Sequence, residues 1–106
     1  MDKEIKGQAS KEQIDAWKNK YGKICEIEVT DGQDTYKVYF KRCDMKTLSA
    51  VNQISKTDEV EAMDVLYKNC LIGGSEEVEN DVALKMAATT QLSGLIGQAS
   101  ASLKNL

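Results

Sequence analysis

Residues 25–41 read Cys25-Glu26-Ile27-Glu28-Val29-Thr30-Asp31-Gly32-Gln33-Asp34-Thr35-Tyr36-Lys37-Val38-Tyr39-Phe40-Lys41. Their period is two. Cys25, Ile27 and Val29 alternate with Glu26, Glu28 and Thr30, and Tyr36, Val38 and Phe40 alternate with Lys37, Tyr39 and Lys41. Such alternation belongs to strands with one face on a core and the other in water. Asp31-Gly32-Gln33-Asp34 supplies a turn between them. Joined antiparallel through it, the strands pair Thr30 with Thr35, Val29 with Tyr36, Ile27 with Val38 and Cys25 with Phe40. The same register sets Glu28 opposite Lys37 on the polar face, a pair worth about 0.2–1 kcal/mol. A slip of one residue would turn the apolar face of one strand against the polar face of the other. A lone hairpin is marginal in water, so helices must cover its apolar face.

The flanking sequence supplies those helices. Ser10 and Gln13 have capping-box spacing, and Ile14, Trp17 and Tyr21 follow on one helical face, with Gly22 placed to end the helix. The spacing predicts a helix over about 11–21. Beyond the hairpin, Asp44 can cap a helix carrying Leu48, Val51 and Ile54, and Thr57 one carrying Val60, Met63, Leu66, Tyr67 and Cys70. Leu71-Ile72-Gly73-Gly74-Ser75 reads as a turn. A last helix from about Asp81 carries Leu84, Ala88, Leu92, Leu95, Ile96, Ala99, Leu103 and Leu106. The expected fold is α+β and helix-rich: an N-terminal helix, an antiparallel β-hairpin, then three helices (α-β-β-α-α-α). Residues 1–9 are polar and expected to be flexible, leaving 10–106 as a single domain.

With 106 residues, 42% of them apolar and 29% charged, the chain has the size and composition of one globular domain. It has no histidine and no proline. Without imidazole, the familiar serine, cysteine and zinc hydrolase constellations are excluded. Net charge is −3, unevenly placed. Residues 1–56 hold 11 basic and 9 acidic side chains, and residues 57–106 hold 3 and 8. A nucleic-acid binder usually carries a basic excess, which this chain lacks. The charged N-terminus has no signal-peptide core, and the uncharged stretch Met86–Leu103 is too rich in Thr, Gln, Ser and Gly to enter a bilayer. A soluble, intracellular protein is expected.

Few residues point to chemistry. Cys25, Cys43 and Cys70 form no CxxC pair and read as small apolar core residues rather than reactive thiols. Gly73-Gly74 lacks the pattern of a phosphate loop. Glu76, Glu77, Glu79 and Asp81 do not match an EF-hand loop and read as a solvated rim, so no metal or cofactor is expected. Trp17, Tyr21, Tyr36, Tyr39 and Phe40 lie among Lys18, Lys20, Lys23, Lys37, Lys41 and Arg42. Bases could stack on such a platform, but the period-two pattern places Tyr36 and Phe40 in the core, where Trp17 is expected to join them. Only Tyr39 is expected to face the lysines.

The block Tyr39-Phe40-Lys41-Arg42-Cys43-Asp44-Met45-Lys46-Thr47-Leu48-Ser49-Ala50 is a strand ending in two basic residues, a short turn and a helix. Downstream, a helix leads into Asn69-Cys70-Leu71-Ile72-Gly73-Gly74 and an acidic stretch. Over roughly residues 11–98 this arrangement resembles the small tail assembly chaperones of tailed bacteriophages and prophages. In that family the strand commonly ends in Lys-Arg-Pro, where this chain has Cys43. The resemblance implies a non-enzymatic role in the cytoplasm of the bacterial host, binding the tape measure protein and assisting assembly of the tail tube protein. Such a role needs an exposed apolar surface that accepts amphipathic helices. Leu92, Leu95, Ile96, Ala99 and Leu103, interspersed with glycine and serine, are the candidate partner-binding residues; part of this stripe is expected to cover the hairpin. Self-association through the stripe is compatible with the same role. A phage-encoded adaptor or host-directed interaction protein is the alternative, and a weak single-stranded nucleic-acid-binding module a further one.

Overall fold

In the computed structural model, which describes residues 5–95 and 101–106, the hairpin takes the register that its side-chain alternation dictates. Strand β2 (Ile24–Asp31) runs antiparallel to β3 (Asp34–Lys41), with Thr30 opposite Thr35, Val29 opposite Tyr36, Ile27 opposite Val38 and Cys25 opposite Phe40. Gly32 and Gln33 close the turn. Gly32 sits at φ 62°, the geometry that a two-residue hairpin loop asks of its first residue.

The sheet is larger than the hairpin. Residues 5–9, expected to be flexible, instead supply β1 (Ile5–Lys6), which pairs in parallel with Thr35 and Tyr36. Leu71–Gly74, expected as a turn, forms β4 and pairs antiparallel with Val38–Phe40, with a register shift between Tyr39 and Phe40. Because β2 occupies one edge of β3 along its length, β1 and β4 share the other edge. Neither segment announces itself by alternation: one has two residues and the other ends in two glycines.

Among the described residues, five helices complete the α+β fold in the order β1-α1-β2-β3-α2-α3-β4-α4-α5. Helix α1 (Lys11–Tyr21) starts at Ser10, whose Oγ accepts the Gln13 N–H at 3.1 Å, and ends at Gly22. Asp44 caps α2 (Met45–Ser55) by accepting the Thr47 N–H at 2.7 Å. Helix α3 (Glu59–Cys70) is capped by Asp58 rather than Thr57. The Thr57 hydroxyl instead donates to the Ile54 carbonyl at the end of α2. A short α4 (Glu76–Asn80) precedes α5 (Val82–Leu95), and Asp81 between them accepts the N–H groups of Ala83 and Leu84.

The core forms where α3 and α5 meet one face of the sheet. Ile27, Val29, Tyr36, Val38 and Phe40 pack with Leu66, Tyr67 and Cys70 of α3 and with Leu84, Ala88 and Leu92 of α5. Phe40 meets Tyr67 edge-on, with ring centroids 5.2 Å apart, a geometry worth about 0.5–1.5 kcal/mol beyond area burial. Helix α2 buries no residue fully; it packs along α3 through half-buried side chains.

The opposite face is exposed at Glu26, Glu28 and Thr30 but closed over Tyr39. Tyr39 is only 2% exposed, because the Trp17 indole lies over its ring at a centroid distance of 5.2 Å. Its hydroxyl accepts the Ala9 N–H at 3.1 Å and donates to Glu26 Oε1 at 2.7 Å. Lys37 Nζ sits 3.4 Å from that same carboxylate oxygen, so Lys37 pairs diagonally with Glu26. Trp17 therefore does not join Tyr36 and Phe40; it is half-buried on the other side of the sheet.

The two glycines of β4 make this possible. A Cβ on Gly73 would stand 2.6 Å from the indole, and one on Gly74 would stand 2.5 Å from the Lys37 carbonyl oxygen. Gly74 also takes φ 114°, a conformation that residues with a side chain rarely adopt. Gly73→Ala is expected to lift Trp17 from Tyr39. The cost should be about 1–3 kcal/mol, the usual penalty for overfilling a packed contact. Urea unfolding followed by emission of the single tryptophan checks this: a less stable protein with red-shifted native emission is expected, and unchanged stability and emission would contradict it.

Candidate partner-binding site

The Lys41-Arg42 pair that ends β3 leads through Cys43 to Asp44, and the Asp44 cap starts α2 at once. This strand-to-helix corner forms one wall of an apolar cleft. Met45 and Leu48 stand on that wall, Leu66 of α3 lies at the floor, and Leu92 and Leu95 of α5 face them. The cavity measures about 160 Å³, close to the roughly 150 Å³ apolar cavity that accepts one benzene-sized group. Arg42 and Met45 are exposed at its mouth, Met45 by 78%.

The candidate residues part company here. Leu92 belongs to the core, 2% exposed, on the line Leu84-Ala88-Leu92 that α5 turns toward the sheet. Leu95 is half-buried at the cleft wall and touches the core only from its edge. Leu103 is 89% exposed. Ile96 and Ala99 lie outside the described residues. Among the described residues of the expected stripe, Leu95 alone lines the cleft without belonging to the core itself. The sequence reading did not single out Met45 as part of this surface; its place in the first turn after a strand-to-helix corner is the signal that was there.

Local contacts hold the polar groups beside the cleft. The Thr47 N–H holds the Asp44 carboxyl below the usual carboxylate range, as an N-cap demands. Burial, with Cys43 alongside adding to it, pushes the Cys70 thiol up to about 12, so it carries no thiolate at neutral pH. Cys43 gives its S–H to the Asp44 carbonyl. Among the described residues no group of three or more Cys, Asp or Glu side chains could hold a metal ion, and no helix is long and apolar enough to cross a membrane. In the aromatic cluster Tyr36, Tyr39 and Phe40 are buried and Trp17 lies over Tyr39, while Tyr21 is half-buried with Lys20 and Lys41 over its ring.

A second polar constellation sits where α3 meets α5. Asp64 accepts hydrogen bonds from Lys85 and Lys68, the latter at 3.1 Å. Lys85 Nζ also lies 5.2 Å from the Tyr67 ring centroid. Burial, with a smaller push from Glu79, raises the Tyr67 phenol to about 12, and its hydroxyl has no partner among the described residues. This network joins two helices, and Asp64 and Lys85 also line a groove between them.

No protein-family model and no curated protein matches the chain. Among solved structures, the chain is similar to that of an uncharacterised protein, rbstp2171, from Bacillus stearothermophilus. The TM-score is 0.64 at 21% identity, covering 87% of this chain and 99% of the other. At that identity the likeness establishes a shared fold.

The hydrogen bond from Lys85, followed by that from Lys68, holds the Asp64 carboxyl below its ordinary range. As pH falls, the unfolded chain therefore takes up this proton before the folded one. The contribution is complete above about pH 4, the unfolded value, and is lost as pH falls through the folded value. Asp64→Asn is expected to cost about 0.2–1 kcal/mol at neutral pH, the range for a largely solvated ion pair. The difference should shrink as pH falls from neutral into the acid range and the Asp64 carboxylate takes up its proton. Urea midpoints of the two proteins at neutral and acid pH measure this, and an unchanged gap at acid pH would contradict it.

Proposed function

We propose that the chain is a non-enzymatic phage or prophage protein of the tail-assembly-chaperone type. It binds the helical tape measure protein in the host cytoplasm, keeps it soluble, and helps the tail tube protein assemble around it. The observation that supports this reading most is the position of the Lys41-Arg42 corner. The motif behind the resemblance frames the apolar cleft that ends at Leu95. An apolar side chain on a partner helix can enter between Met45 and Leu95, and the flexible methionine adapts to whichever residue arrives. Arg42 at the mouth can meet the carboxylates that flank an apolar stripe.

Co-expression with a tape-measure-like protein tests the role. Leu95→Asp is expected to melt cooperatively like the parent while losing co-purification, because the carboxylate reaches water in the free protein and is trapped without a partner in the complex. Leu92→Asp, a charge placed in the core, is expected to unfold the domain. Full co-purification by a folded Leu95→Asp protein would contradict the cleft's role. Failure of the parent chain to co-purify at all would contradict the function.

A further inference from the structure

The half of α5 away from the Leu95 cleft borders a second groove. Val60 and Met63 from the start of α3 line one side, and Val82 and Met86 from the first turns of α5 line the other. Val60 and Val82 are 67% and 78% exposed, and Met86 is 36% exposed. These four side chains make a contiguous apolar floor that the core does not use. The rim is acidic. Asp58 and Glu61 border the groove, with Glu59 beside them, and among the described residues none of the three forms an ion pair. The one lysine in the wall, Lys85, is already engaged by Asp64. The exposed charge facing a visitor is therefore negative.

We propose that this groove docks an amphipathic helix of a partner protein whose apolar stripe is flanked by lysine or arginine. Val82 and Met86 are four residues apart on α5, about 6 Å along the axis, and Val60 and Met63 are three apart on α3. A helix laid between them meets apolar side chains at its own i, i+3 and i+4 spacing. Basic residues beside that stripe reach the carboxylates of Asp58, Glu59 and Glu61, whereas acidic ones are repelled. A second copy docked groove to groove is a poor occupant. Residues 57–106, which supply every wall of the groove, hold 8 acidic and only 3 basic side chains. The groove stands apart from the tail-assembly reading, because it shares no residue with the Leu95 cleft.

Two synthetic peptides of about 18 residues, long enough to be helical, test this. They share one Leu/Ala stripe, flanked by lysine in the first and by glutamate in the second. Fluorescence anisotropy with the full chain should show the lysine peptide binding about tenfold or more tighter, with affinity falling as salt rises. Glu61→Lys should erase most of that preference. Val60→Asp and Val82→Asp, at exposed positions, should weaken the lysine peptide about tenfold while leaving the melting temperature unchanged. Equal binding of both peptides would overturn the proposal, as would binding indifferent to Val60→Asp and Val82→Asp. Sedimentation showing a dimer that Val82→Asp returns to monomers would assign the groove to a second copy and overturn it as well.

Discussion

Three consecutive residues of β3, Val38, Tyr39 and Phe40, are buried, with exposures of 0%, 2% and 0%. Neighbours on a strand point to opposite faces. Burying all three therefore requires a cover on each side of the sheet, and the rest of the structure supplies the two covers. On the Val38 and Phe40 side, α3 and α5 form the main core. On the Tyr39 side, Trp17 of α1 lies over the ring at a tilt of 40° while Ala9 and Glu26 satisfy the hydroxyl. The strand is also paired on both edges, by β2 on one and by β1 and β4 on the other. Gly73 and Gly74 are the residues that let β4 lie close enough for both.

This central strand also sets where the exposed surfaces fall. Its end at Lys41 fixes the corner that starts α2, and so fixes Arg42 and Met45 at the mouth of the cleft. Helix α5 must turn Leu84, Ala88 and Leu92 toward the sheet. That orientation leaves Val82 and Met86 facing the α3 groove and Leu95 at the cleft wall. Helix α2 has no fully buried residue, which places this wall of the cleft among the more easily opened parts of the domain.

The hairpin register was legible because period two leaves one pairing that keeps the apolar faces together. The helix ends at Ser10, Gly22 and Asp44 were legible because capping chemistry is local. Thr57 and Asp58 are adjacent residues with equal capping ability, and nothing local chooses between them. Strand β4 was hidden because Gly73 and Gly74 offer no side-chain pattern, and their need for smallness arises from Trp17, 56 positions before Gly73, and from Lys37, 37 positions before Gly74. Alternation puts Tyr39 on the lysine face, where the structure has it, but it also puts that position in water, which Trp17 prevents. The signal against that was the unbroken apolar run Val38-Tyr39-Phe40. At the candidate site, the apolar stripe was visible, yet the sequence did not divide Leu92 from Leu95. The division follows from the distance each keeps from the sheet, a tertiary quantity. Val60 fitted the apolar template of its helix but stands exposed, because the core lies against the later turns of α3, at Leu66, Tyr67 and Cys70.

The central claim is that β3 is held from both faces and both edges as the most stable part of the domain. Native-state hydrogen exchange of individual amides, compared with the unfolding free energy from urea, tests it most directly. The amides of Val38, Tyr39 and Phe40 are expected to exchange only through global unfolding, while those of α2 exchange through smaller openings. Exchange of Tyr39 and Phe40 by an opening as easy as that of α2 would contradict the account.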